Sequence, residues 1–231
     1  MTANNTNNTS DTQWNLHSGE PRIQALSGAD PRLGALIARL GVLTVTLDRD
    51  PFEALARSII SQQISVKAAA TIRERVRLLA GGFTAEALLT QEDEALRGAG
   101  LSASKLSYLR DLSGKVLSGE LDFAAFPDMD DEAVIAALTS VKGIGRWTAE
   151  MFLIFALGRE NVVSLGDAGL QRAAQWLYGL EPRKDKKYLQ QLLHRWPPYG
   201  SIVSLYLWEA INQGLVDSGK SLDEHLQEPQ S

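Results

Sequence analysis

The sequence predicts an all-α fold. Apolar residues and strong helix formers recur at helical spacing through most of the 231 residues. Capping and turn residues separate these segments. Strand-like character is confined to residues 42–47, which read as extended.

Taken in order, the first helical segment covers residues 33–40. Asp50 before Pro51 is a cap ahead of a proline at the first helical position, and helical spacing then runs over 51–79. Gly81 and Gly82 mark a turn. Thr84 caps 85–89, residues 93–99 follow, and Ser102 caps a segment that reaches 117. A Gly-Glu-Leu-Asp turn comes after Ser118, and Asp130 then caps 131–138. The acidic start of that segment suits the positive end of a helix dipole. Residues 147–157, 169–178, 188–195 and 201–211 complete the set. Trp147, Met151, Ile154 and Phe155 form one apolar face of their helix, and Trp176, Trp196 and Trp208 are assigned to the core.

Composition narrows the function. There are no cysteines, which removes disulfides, thiolate metal sites and an iron–sulfur cluster. No apolar run approaches the ~20 residues that span a bilayer. The start of the chain lacks the basic-then-apolar order of a signal peptide. Residues 1–13 are instead polar and rich in Asn and Thr, so residues 1–17 are expected to form a disordered tail. A cytoplasmic location is expected, nucleoid-associated in a bacterium, with no membrane partner. The net charge of −5 argues mildly against a nucleic-acid partner, but one cationic face can sit on an acidic protein. Lys67, Lys105, Lys142 and Arg146 are the candidates for such a face. Arg73, Arg75 and Arg77 read as solvated surface, as do Arg183, Lys184, Lys186 and Lys187.

The most informative stretch runs Thr139-Ser140-Val141-Lys142-Gly143-Ile144-Gly145-Arg146-Trp147-Thr148. It sets a Gly-x-Gly turn between two helical segments. Two glycines allow a tight turn and a close backbone approach, and the amides opening the second helix could receive a phosphate. Physical reasoning alone leaves two uses open, an ordinary helix–helix turn or an anion site.

Read with its neighbours, this stretch resembles the helix-hairpin-helix of the DNA glycosylase superfamily. Asp167, in Ser164-Leu165-Gly166-Asp167-Ala168-Gly169, stands at the spacing of that family's essential aspartate. Ile60-Ser61-Gln62-Gln63-Ile64-Ser65 is similar to the segment that fills the gap in the duplex in the 3-methyladenine DNA glycosylase II branch. Gly100-Leu101-Ser102-Ala103-Ser104-Lys105 and Trp196-Pro197-Pro198-Tyr199-Gly200-Ser201 are further matching pieces. The resemblance implies two helical domains flanking a cleft. One is continuous over 51–159 and carries the hairpin; the other combines 18–50 with 160–231. Larger members carry an N-terminal β-sheet domain, for which the stretch before Pro51 leaves too little room.

The resemblance also assigns roles. Asp167 is the catalytic carboxylate, and as a residue ahead of a helix it can cap that helix as well. Trp147, Met151 and Tyr199 line the base pocket. Gln62, Gln63, Ile64, Ser65, Lys142, Gly143, Ile144, Gly145, Arg146 and Thr148 meet the DNA, with Gln63 at the intercalating position. Main-chain carbonyls of Thr139, Val141 and Ile144 are expected to hold a sodium or potassium ion, and no cofactor is required. Bifunctional branches have a lysine where this chain has Trp147, so a monofunctional enzyme is implied, one that cuts the base and leaves an abasic site. Two positions depart from the pattern: Lys142 replaces a usual proline, and Gly200 replaces a common arginine. The implied activity is hydrolysis of alkylated purines, 3-methyladenine and 7-methylguanine, from double-stranded DNA by a monomer. A mismatch-adenine or uracil glycosylase and a non-catalytic DNA-binding module are the alternatives.

Overall fold

The computed structural model describes residues 13–48, 50–182 and 187–227, and these are mostly helical. They form two compact units. One is the continuous stretch 48–158; the other is built from the residues before and after it.

The first segment contains β1 (Gln13–Leu16), α1 (Pro21–Ala29), α2 (Pro31–Leu40) and β2 (Leu43–Thr46). The two strands pair antiparallel, Gln13 opposite Thr46 and Leu16 opposite Leu43. This corrects the expected tail through residue 17. Trp14 and Leu16 are buried while Gln13 and Asn15 stay exposed, a period-two pattern too short to stand out in a polar sequence. The rest of that expected tail, residues 1–12, lies outside the described residues. Helix α1 is likewise unmarked by the sequence's periodicity. Glu20 caps it by accepting the Ile23 amide, and Asp30 then caps α2 by accepting the Leu33 amide at 3.1 Å.

The continuous unit holds α3 (Pro51–Ser61), α4 (Val66–Ala80), α5 (Ala85–Leu89), α6 (Asp93–Gly98) and α7 (Ala103–Leu117). A 3-10 turn (Phe123–Asp128), α8 (Asp131–Thr139) and α9 (Arg146–Phe155) follow. All four expected caps form. Asp50, Thr84, Ser102 and Asp130 accept amides of Glu53, Ala87, Lys105 and Ala133 at 2.8, 3.1, 3.3 and 2.7 Å. The helical run over 51–79 is broken between α3 and α4, where Gln63 takes φ +56 and Ser65 caps α4. Ile59, Ile60, Val76, Leu109, Leu112, Leu138 and Leu153 are buried in its core. Phe126 and Phe152 meet edge to face at 5.9 Å.

The chain then supplies α10 (Ala168–Tyr178), α11 (Leu189–Leu192), α12 (Gly200–Asn212) and α13 (Leu222–Gln227) to the discontinuous unit that holds β1 and β2. Helix α12 is buried continuously from Gly200 to Leu207 and packs on α10 and α2, so it is that unit's central helix. Trp196 is core, as expected. Trp176 and Trp208 are only half-buried, and the Trp176 indole donates to the Lys220 carbonyl at 2.8 Å. Lys187 is exposed; Arg183, Lys184 and Lys186 lie outside the described residues. Among the described residues no helix is long and apolar enough to cross a membrane.

Candidate functional site

The hairpin joins α8 to α9. At the end of α8 the Thr139 hydroxyl turns back to the Ile135 carbonyl at 2.8 Å, and the Ile144 amide closes the turn on the Val141 carbonyl at 3.1 Å. Gly143 sits at φ +80, and a Cβ there would lie 2.1 Å from the Tyr108 ring. Conformation and space both require glycine. Val141 and Ile144 are buried. Gly145 caps α9 without a side chain, and Gly145, Arg146 and Trp147 are exposed. The helix therefore opens on backbone alone, the arrangement that suits an anion.

The charges around this turn are partly committed. Lys142 is exposed, with its amide donating to Asp111 Oδ2 at 2.9 Å and its Nζ 3.8 Å from Asp111 Oδ1. Arg146 makes a two-pronged pair with Glu132 and reaches Glu150 at 3.0 Å. The bonds to Glu132, then those to Glu150, hold its guanidinium pKa above the ordinary arginine value. Lys105 donates to the Ile60 carbonyl at 2.8 Å, and partial desolvation lowers its pKa below the usual lysine value. It props the end of α3. Lys67 is exposed. Arg73 is not plain solvated surface: it is half-buried, 3.4 Å from the Ser61 hydroxyl, while Arg75 and Arg77 are exposed.

The turn between α3 and α4 is stitched to the hairpin, because Gln62 Nε2 donates to the Gly143 carbonyl at 2.8 Å. Gln63, Ile64 and Ser65 are exposed beyond it, and Val66 is 84% exposed. A glutamine in the left-handed region is uncommon, and it interrupts the helical path here.

In helix α9 one member of the expected apolar face, Ile154, is buried. Ala149, Phe152 and Leu153 are buried, whereas Trp147 is 51% exposed and Met151 and Phe155 are half-buried. Met151 and Phe155 line a cavity of about 240 Å³ within the continuous unit, with Arg57, Ser58 and Thr148 on its wall. Thr148, expected on the DNA side, is buried there, so its side chain is turned away from solvent.

The remaining residues belong to the other unit. Asp167 is half-buried and caps α10, its Oδ1 accepting the Leu170 amide at 2.8 Å. A Cβ on Gly169 would come within 3.1 Å of that oxygen. Tyr199 is half-buried at the start of α12, after a cis bond between Pro197 and Pro198. Gly200 donates its amide to Asn161 Oδ1 at 3.2 Å, and a Cβ there would lie 2.6 Å from Val163. The packing leaves no room for the arginine that the resemblance puts at this place. Tyr108 and Asp111 went unmarked by the sequence, since the residues they serve lie far along the chain.

Comparison with known proteins bears on this arrangement. Residues 56–198 match the model of the HhH-GPD superfamily base excision DNA repair proteins. A DNA-3-methyladenine glycosidase from Bacillus halodurans has a similar crystal structure, with TM-score 0.85 and 40% identity over 93% of this chain and 100% of that one. The 3-methyladenine DNA glycosylase of Schizosaccharomyces pombe, solved with abasic DNA, gives TM-score 0.71 and 30% identity over 84% of this chain and 97% of that one. Escherichia coli DNA-3-methyladenine glycosylase 2 is 30% identical over 80% of this chain, which spans 65% of its length. The chain also spans 65% of the length of a Bacillus subtilis relative.

Proposed function

The chain belongs to the HhH-GPD superfamily of base excision DNA repair proteins, and we propose that it is a monofunctional glycosylase of alkylated purines. The observation that carries this reading is Asp167, a half-buried carboxylate fixed at a helix start by the Leu170 amide. The relatives named for 3-methyladenine, one of them solved on abasic DNA, support it.

A base cannot be cut from its sugar while stacked, so the nucleotide must be flipped out of the duplex. Cleavage of the glycosidic bond builds positive charge at C1′. Asp167 stabilises that cation and orients the water that completes hydrolysis. The hairpin from Lys142 to Gly145 takes DNA phosphates on its amides, and the turn carrying Gln63 enters the vacated stack. Exposed Trp147 offers a ring face to a cationic methylated base, with Met151 and Tyr199 as further pocket residues. Trp147 has no amine to attack the sugar, so the product is an abasic site without strand cleavage. The reading takes the protein as a monomer in the cytoplasm, with no cofactor required. A sodium or potassium ion on the carbonyls of Thr139, Val141 and Ile144 fits it: Val141 accepts one hydrogen bond there and keeps a second lone pair.

The test is incubation with methylated double-stranded DNA and analysis of the released bases. Release of 3-methyladenine and 7-methylguanine, with no borohydride-trapped adduct, is the expected result. Release only of mispaired adenine or uracil, or binding without release, overturns the reading. A trapped adduct overturns its monofunctional part.

A further inference from the structure

Three residues on α7 stand at i, i+3 and i+6 and so share one face of that helix: Lys105, Tyr108 and Asp111. Each serves one of the two segments assigned to DNA. The Lys105 ammonium donates to the Ile60 carbonyl in the last turn of α3, just before Gln62–Ser65. The Tyr108 ring occupies the space that a side chain on Gly143 would need. Asp111 accepts the Lys142 amide at 2.9 Å. The two segments then close on each other through Gln62 and the Gly143 carbonyl.

Asp111 answers a need that Lys142 creates. A proline at that place would have no amide, whereas a lysine brings one more donor to be satisfied. A carboxylate is otherwise a poor neighbour for a surface that takes phosphates, because like charges repel. Its place beside the hairpin makes sense if it holds the backbone.

We propose that Asp111, with Tyr108 and Lys105, is a positioning residue that fixes the hairpin relative to the Gln62–Ser65 turn, so that both engage DNA as one rigid piece. The proposal rests on the DNA-binding reading given above. Asp111 itself touches no substrate and acts through the Lys142 amide.

The experiment measures binding to an abasic-site duplex and single-turnover release of 7-methylguanine, with thermal melts to confirm folding. Asp111→Ala should raise Kd and KM about tenfold, the loss of one charge-assisted hydrogen bond, and leave the rate at saturation within about twofold. Asp111→Asn keeps an oxygen acceptor and removes the repulsive charge, so it should bind at least as well as the parent. A bystander carboxylate predicts instead that alanine and asparagine both tighten binding or change nothing, and that result overturns the proposal. Rigid coupling also predicts that Gln63→Ala costs less affinity in the Asp111→Ala background than alone. Additive losses would mean that the two segments act independently, which also overturns it. If Asp111→Ala fails to fold, Lys142→Pro serves as the second variant. It removes the donor, so Asp111→Asn should then improve binding more than it does in the parent; an unchanged effect rejects the link. A parent protein that does not bind abasic DNA would reject the functional reading and not this coupling.

Discussion

Helices α9 and α10 begin in opposite ways. The start of α9 has Gly145 and no side-chain cap hydrogen bond, while α10 is closed by the Asp167 carboxylate at 2.8 Å from the Leu170 amide. Both helices carry the same partial positive charge at their first amides. At α9, on the proposed reading, that charge is left for an anion from outside. At α10 it is spent inside the protein, where the amide that stabilises the helix also points the carboxylate. On the proposed reading, one physical property gives a binding element in one place and a catalytic one in another, and the cap residue decides which.

The sharpest way to break this contrast is Asp167→Asn. Asparagine caps a helix about as well as aspartate, so the fold should survive. Turnover should fall on the order of a hundred-fold or more, because the stabiliser of the sugar cation is gone. Near-normal base release from a folded variant would end the argument for Asp167. The reciprocal change, Gly145→Asp, would close α9 in the manner of α10. The backbone there, φ −93 and ψ 172, already suits a capping aspartate. Melting temperature should rise slightly, with roughly a few tenths of a kcal/mol of added stability, because glycine is itself an accepted helix cap. Affinity for abasic DNA should drop by more than about tenfold, since a carboxylate would occupy the phosphate's place. Unchanged affinity would show that the first turn of α9 meets no anion.

Smaller effects sharpen the picture. Gly169→Ala would press on Asp167 Oδ1 and on Ile211, at 3.1 and 3.2 Å from the new Cβ. Misplacing the carboxylate by a few tenths of an ångström should slow release about three- to tenfold at unchanged Kd. Glu132→Gln would loosen the grip on Arg146 and free part of its charge for phosphate. Kd should improve about two- to threefold at low salt, with a steeper salt dependence. A variant whose salt slope matches the parent would show that Arg146 stays with Glu150.

Most helices and four of their caps were legible because those signals are local: Asp50, Thr84, Ser102 and Asp130 each act on an amide three residues on. β1 was hidden because its four residues pair with Leu43–Thr46, and nothing within Gln13–Leu16 announces that partner. The same holds at the site. Gly143 and Gly145 could be read from the sequence, but Tyr108 and Asp111 act on residues more than thirty positions away. Of the apolar face read at Trp147, Met151, Ile154 and Phe155, Ile154 is buried, whereas Trp147 is exposed and Met151 and Phe155 are half-buried. Periodicity identifies an apolar face without saying whether protein covers it.

Gly200 has a consequence for how such a protein can change. With Val163 2.6 Å from any added Cβ and Asn161 holding the amide, the position is closed to every other side chain unless its neighbours move first. A selection for altered lesion range would therefore pass over residue 200 in single-step libraries. It would sample Tyr199 and Met151 instead, both half-buried, Met151 beside the cavity between α3 and α9. An arginine at 200 becomes reachable only through a prior reduction of Val163, so the order of the two substitutions is set in advance.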